Sequence, residues 1–282
     1  MFPNKKIVYI FASLGDGVYK KDIASNKVSF FLKIFQRSKK KIKVQQNIND
    51  TFEISEKFIS KVSKYSEKQC FSFYLHSDHL HEKFIKDVQT AKADRYYIFP
   101  LYPQYNLELS NLANFFSLNL YREICDKFFW VKSYSQHSFF TKALQKNIKN
   151  ILKKNVLDEK ETLFLFLAKD YINNSPLYIL DTEITCQNIV KAFQYVEGSL
   201  LFFNEDTNDL KMKKRKNIII IPITTLIDNY ETIQTIGIVK KTLEEQKKQV
   251  FVCKTLNHSS YFIRSIFNII DEKNFVSNEM LL

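Results

Sequence analysis

Four short peptides able to do chemistry each follow an apolar run of strand length. They are Ser13-Leu14-Gly15, Tyr102-Pro103-Gln104-Tyr105, Lys169-Asp170 and the stretch 224–231, which ends in Asp228-Asn229-Tyr230-Glu231. In open α/β sheets ligands bind at the carboxyl ends of strands, so these peptides are the candidate site. Glu231 offers a carboxylate to a metal or a proton. The same residue has a structural reading, because Asp228-x-x-Glu231 at a helix start is a capping box with Asp228 as N-cap and Glu231 as N3. His76, His79 and His81 invite a metal site, yet they straddle a strand-to-helix boundary, and a polar surface turn is the favoured reading. The four cysteines (Cys70, Cys125, Cys186 and Cys253) are scattered without any CxxC, so neither a zinc site, nor a disulfide framework, nor an iron–sulfur cluster is expected. Gly15-x-Gly17 has no third glycine to complete a phosphate-binding loop.

The elements that must hold these peptides alternate. Strands are expected at 7–13, 70–75, 95–101, 127–134, 161–168, 199–203, 217–223 and 249–254. Helices are expected at 27–35, 51–65, 79–90, 107–116, 138–153, 177–195, 228–247 and 259–271, from apolar residues recurring at helical spacing. Such alternation implies α/β architecture with parallel sheets covered by helices on both faces. About four strands fall on each side of a linker near 153–159, so two Rossmann-like halves fit better than one large sheet. The division expected is 1–152 for the first half, 160–258 for the second and 259–282 for a C-terminal helix that packs back on the first. The charge cluster at 39–43 reads as solvated surface.

Of 282 residues, 45% are hydrophobic, enough for one large core or two ordinary ones. No run approaches the ~18 apolar residues of a membrane-spanning helix. The N-terminal apolar run is too short for a signal peptide and reads as the first strand, which places the protein in the cytoplasm. The net charge of +12 raises the question of nucleic acid. Only five of the 42 basic residues are Arg, the residue suited to bidentate contacts, so no specific nucleic-acid partner is expected. Peripheral membrane contact is admitted by the abundance of Phe and Lys, although no segment stands out as interfacial.

Phe99-Pro100-Leu101-Tyr102-Pro103-Gln104-Tyr105 resembles the PLYPQY signature of ferrochelatases. Further likenesses fall in the same order: Ser13-Leu14-Gly15 to the NLGTP loop, Phe73-Tyr74 to the MRY segment, and Trp130 to a Trp that precedes a helix. Asp228-Asn229-Tyr230-Glu231-Thr232 is similar to DHIET, and Leu256-Asn257 to an LN segment. The resemblance implies the chelatase fold, a place in haem biosynthesis, and insertion of Fe²⁺ into a porphyrin, with both as substrates and no tightly bound cofactor. It implies that Tyr102, Gln104, Tyr105, Ser13, Leu14 and Trp130 contact the porphyrin and that Glu231 is a catalytic residue or metal ligand. A porphyrin or haem, and a protein of the haem pathway, are the partners it suggests.

The departures are specific. Where the family has the His of SAHxLP, this chain has Lys169, within Leu167-Ala168-Lys169-Asp170. The His of DHIET is Asn229, and the acidic residue one turn after its Glu is Thr235. Metal insertion needs a ligand to strip water from the ion and a base to take two pyrrole protons. A neutral imidazole does both near pH 7, whereas a lysine, with a reference pKa of ~10.4, repels a divalent cation. Burial can lower a lysine's pKa enough to make it a base, so Lys169 stays a candidate catalytic residue. The arrangement expected instead is a Lys169–Glu231 ion pair filling the metal position, which leaves activity weak or lost. The alternative is a catalytically inactive protein that binds porphyrin, haem or a protein partner.

Overall fold

The computed structural model describes residues 5–15, 41–170, 175–203 and 215–279, with side chains from 53 onward in the first described helix. The helix expected at 27–35, together with Asp16 and Gly17, lies outside the described residues.

Two sheets form. The first has the order β2-β1-β3-β4-β9, with β1 at Ile7–Ser13, β2 at Gln69–Tyr74, β3 at Arg95–Pro100, β4 at Phe128–Val131 and β9 at Val276–Ser277. The second has the order β6-β5-β7-β8, with β5 at Thr162–Ala168, β6 at Glu197–Phe202, β7 at Asn217–Pro222 and β8 at Gln249–Val252. All pairings are parallel except β4 with β9. The helices are α1 (Lys41–Ser66), α2 (His81–Ala91), α3 (Glu108–Asn119), α4 (Arg122–Cys125), α5 (Ser138–Asn155), α6 (Pro176–Val190), α7 (Tyr230–Glu245) and α8 (Ser260–Asp271). The two-lobed α/β reading of the sequence is therefore right. The first described helix already runs at Lys41, well before the expected 51, because no Gly or Pro interrupts 41–50.

Strand periodicity sets the layers. In β1, Val8, Ile10 and Ala12 face a cluster with Phe84, Val88, Leu112 and Phe116 of α2 and α3. Tyr9 and Phe11 face the other way, where they join Phe58 and Val62 of α1. In β5, Leu163, Leu165 and Leu167 pack on Val239 and Leu243 of α7, while Phe164 and Phe166 turn inward. The two inward faces meet one continuous apolar layer, built from α1, α5 and α8 with Ile189 of α6. A side chain alternates faces every second residue, so each strand serves two cores at once.

Polar seams join the lobes along one side. Asp181 of α6 accepts from Ser133, 2.6 Å away, and from Ser135, both in the loop after β4. Gln145 Nε2 of α5 donates to the Asn188 carbonyl at 3.0 Å. After β8 the chain returns to the first lobe. Phe262 of α8 stacks on Phe58, Phe267 meets Tyr9 edge-on, and β9 pairs with β4.

Trp130 is fully buried between Phe116 and Phe128. The ring expected to contact porphyrin is placed in the core of the first lobe. Trp130→Ala should cost about 3–5 kcal/mol in urea denaturation. Trp130→Phe should cost much less, because the indole N–H has no hydrogen-bond partner among the described residues.

Candidate active site

The strand-end loops of the first lobe are laced to one another. The Leu75 amide donates to Ser13 O at 2.9 Å and the His76 amide to Leu14 O at 2.8 Å, which fixes the β2 loop against the β1 loop. Gly15 sits at φ +77°, and a Cβ there would lie 2.9 Å from Ser77 Oγ and 3.3 Å from Tyr74 Cβ, so this turn needs glycine. The Leu14 amide donates to the Tyr102 hydroxyl at 3.2 Å, with Ser13 Oγ 3.3 Å from the same oxygen. The Tyr102 ring is buried with Leu14, Leu109 and Tyr178. Tyr105, partly exposed, places its hydroxyl 3.0 Å from Ser110 Oγ.

The second lobe presents Lys169 just past β5. Its amide donates to Thr224 Oγ1 at 2.9 Å, and its carbonyl accepts from the Tyr178 hydroxyl at 2.6 Å. Opposite, Asn229 caps α7, its Oδ1 accepting from the Thr232 amide at 2.8 Å. This corrects the capping box expected from Asp228 and Glu231. Asp228 is taken up elsewhere: its carboxylate accepts from Thr255 Oγ1 at 2.6 Å and Asn257 Nδ2 at 2.8 Å, while its amide donates to Asn257 Oδ1 at 2.8 Å. With the cap one residue later, Glu231 falls at N2 and its carboxylate is released toward the lysine.

Lys169 Nζ lies 2.8 Å from Glu231 Oε2, the ion pair expected from the sequence. The lysine side chain is 18% exposed and the glutamate 50%. Burial pulls the Lys169 ammonium toward losing its proton. Glu231, with Tyr102 and Glu108, outweighs that pull, and the pKa ends above the ordinary value of 10.5. The Lys169 side chain is thus held in its charged form.

The first lobe contributes a second pair, which the sequence did not disclose. His76 Nε2 stands 3.5 Å from Glu108 Oε2 at the start of α3. The His76 imidazole, and Lys169 beyond it, hold the Glu108 carboxyl below the usual carboxylate range. Neighbouring histidines in sequence are not neighbours in role. His81 Nε2 meets the Tyr74 carbonyl at 2.9 Å and its ring stacks on Phe73. Among the described residues, no three His, Cys, Asp or Glu side chains gather as a metal-binding group. Burial pushes the thiols of Cys70 to about 11 and of Cys186 and Cys253 to about 12, which keeps them protonated.

The expected porphyrin contacts therefore divide. Ser13 and Tyr105 are partly exposed on the strand-end loops, at the mouth where Tyr102 and Glu108 of the first lobe face Lys169 of the second. Leu14 and Tyr102 lie beneath it as packing. Gln104 is buried and bridges the lobes, Nε2 donating to Thr185 Oγ1 and to the Ile223 carbonyl at 3.2 Å each. It acts as a clamp between the lobes.

The family model for ferrochelatase matches residues 48–274. The chain belongs to the ferrochelatase family. It is similar to the ferrochelatase of Francisella tularensis subsp. holarctica (strain FTNF002-00 / FTA), 25% identical over 218 residues, 68% of this chain and 64% of that one. It thus spans less than two thirds of that relative's length. The ferrochelatase of Helicobacter hepaticus is 23% identical over 239 residues, 76% of this chain and 77% of that one. Among solved structures, SirB from Bacillus subtilis with Fe³⁺ superposes with a TM-score of 0.60 at 11% identity, covering 94% of each chain. CbiX, described as the terminal enzyme for biosynthesis of sirohaem in denitrifying bacteria, gives 0.58 at 12%, covering 94% of this chain and 98% of its own. These two likenesses establish the chelatase fold.

Because the Lys169 pKa is raised, its stabilising contribution is complete below the ordinary value and is lost as pH rises through the folded one. Lys169→Met should lower stability by about 1–2 kcal/mol at pH 7, a pair intermediate between exposed and buried. In urea unfolding, the gap between wild type and variant should stay constant from pH 7 to 9 and close only above the ordinary lysine pKa of 10.5.

Proposed function

We propose that the protein is a tetrapyrrole-binding member of the ferrochelatase family whose metal-insertion activity is weak or lost. The observation that carries this reading is the Lys169–Glu231 pair at 2.8 Å. In the resembling motif, residue 169 is the position of a histidine. An ammonium there repels the incoming divalent ion and engages the one retained carboxylate of the constellation. Its raised pKa supports this reading over one in which Lys169 serves as the base. Ser13 and Tyr105 are the retained motif residues assigned to the macrocycle, and their partial exposure supports the assignment. A place in haem biosynthesis follows from the family alone.

The test is purified protein with protoporphyrin and Zn²⁺, followed by Soret absorbance and by the visible bands of the metalloporphyrin. The wild type should bind the porphyrin with a Soret shift that changes little with salt, and should insert zinc slowly or not at all. Lys169→His should gain roughly 10²-fold in insertion rate, the scale of a recovered acid–base group. Wild-type insertion as fast as that of Lys169→His would refute the blocking role of the lysine.

A further inference from the structure

Of the nitrogen donors in the described residues, most are committed. The Lys169 amine holds its proton against Glu231. His81 is fixed between the Tyr74 carbonyl and the rings of Phe73 and Phe115. His137 is buried and engaged at both nitrogens, Nδ1 accepting from the Phe139 amide and Nε2 lying 2.9 Å from Glu272 Oε1. His258 Nδ1 is buried without a hydrogen-bond partner among the described residues, on the side of the molecule where Lys57 and Lys61 of α1 are its charged neighbours.

His76 is placed differently. Its side chain is 47% exposed, at the carboxyl end of β2, where the fold puts its ligand-binding loops. Its backbone is anchored, since its amide donates to the Leu14 carbonyl. Its Nε2 stands 3.5 Å from Glu108 and is engaged with that carboxylate, which orients the ring, while no hydrogen bond reaches its Nδ1 among the described residues. Glu108 interacts with both His76 and Lys169, which places the imidazole on the same mouth as the blocked ion pair but on the opposite lobe. Leu107 and Leu177 adjoin Glu108 and Tyr178 in the chain, and both are largely exposed, as contacts to the apolar faces of a macrocycle require.

We propose that His76 is an axial nitrogen ligand to the iron of a haem held between the lobes. The inference rests on the tetrapyrrole-binding reading above and gives it a chemical preference: an iron porphyrin already carrying its metal. Free Fe²⁺ needs several protein ligands, and the described residues assemble no group of three. Haem iron brings four nitrogens of its own, so a single imidazole completes the site. Nδ1 gives its lone pair to iron while Nε2 keeps the ring's one proton facing Glu108, and no redox step is required. The Glu108 carboxylate offsets the partial positive charge that the ring acquires on ligation, as carboxylates do for metal-bound histidines. Lys169 and Glu231 together add no net charge opposite.

The experiment uses the full chain with two probes, ferric haem and metal-free protoporphyrin. Wild type with ferric haem should show the Soret band and electron paramagnetic resonance signature of a nitrogen-ligated iron. His76→Ala should lose that signature, bind haem about tenfold or more weakly, and regain the signature when free imidazole is added. His79→Ala should leave it unchanged. Metal-free protoporphyrin, which offers no iron to ligate, should bind wild type and His76→Ala alike. Identical haem spectra for wild type and His76→Ala, with metal-free porphyrin bound by both, would overturn the axial ligand and leave tetrapyrrole binding standing. Failure of wild type to bind metal-free porphyrin would overturn the binding reading itself, and this proposal with it.

Discussion

One apolar layer between two sheets governs the molecule. Phe11 and Phe99 from the first sheet, and Phe164, Phe166, Ile219 and Ile221 from the second, all face it, and the helices between them belong to both lobes. Tight packing in such a layer leaves little room for relative sliding, because interiors are as dense as organic crystals. The strand ends of the two lobes are consequently held in register, and loops distant in sequence share one mouth. Gln104 and Asp181 add directional bonds between the lobes. Burying Gln104 is tolerable because its amide is used in this way, although its Oε1 has no partner among the described residues.

On this frame the mouth carries two pairs of opposite character. Lys169 is largely withdrawn from water and Glu231 is half in it. An ammonium in that position would be costly alone, and the adjacent carboxylate offsets the cost. The pair is also locked from behind, since the Lys169 amide and carbonyl are both bonded and Asn229 fixes the helix that presents Glu231. The His76–Glu108 pair is looser and more open to solvent. The second lobe's carboxylate is therefore neutralised by a withdrawn ammonium, while the first lobe's carboxylate faces a half-exposed imidazole.

How much of this the sequence disclosed depended on range. β5 and β7 were plain because strands buried on both faces read as unbroken apolar runs. The Lys169–Glu231 pair was legible because each residue sits in a short motif with a definite place in the fold. The start of α7 was misplaced by one residue because Asp228 and Asn229 are both good caps. Thr255 and Asn257, far along the chain, decide between them by taking Asp228. Trp130 looked like a ligand contact from its motif, but the rings that enclose it come from α3 and its own strand, and no local pattern announces them. His76 was hidden by its neighbours: three histidines in six residues suggested one shared role, and the partner that distinguishes this one lies on another helix. Strand β9 is too short for any periodicity to reveal.

That last strand has a consequence for biosynthesis. Trp130 and Val131 pair with Ser277 and Val276, so the outer edge of the first sheet is finished by nearly the last part of the described chain. A ribosome adding ~5–20 residues per second would leave that edge bare for roughly ten to thirty seconds after β4 emerges. Unpaired strand edges are templates for association with other chains. The first lobe is thus a late-sealed unit, dependent on the tail for closure and exposed to misassembly during translation.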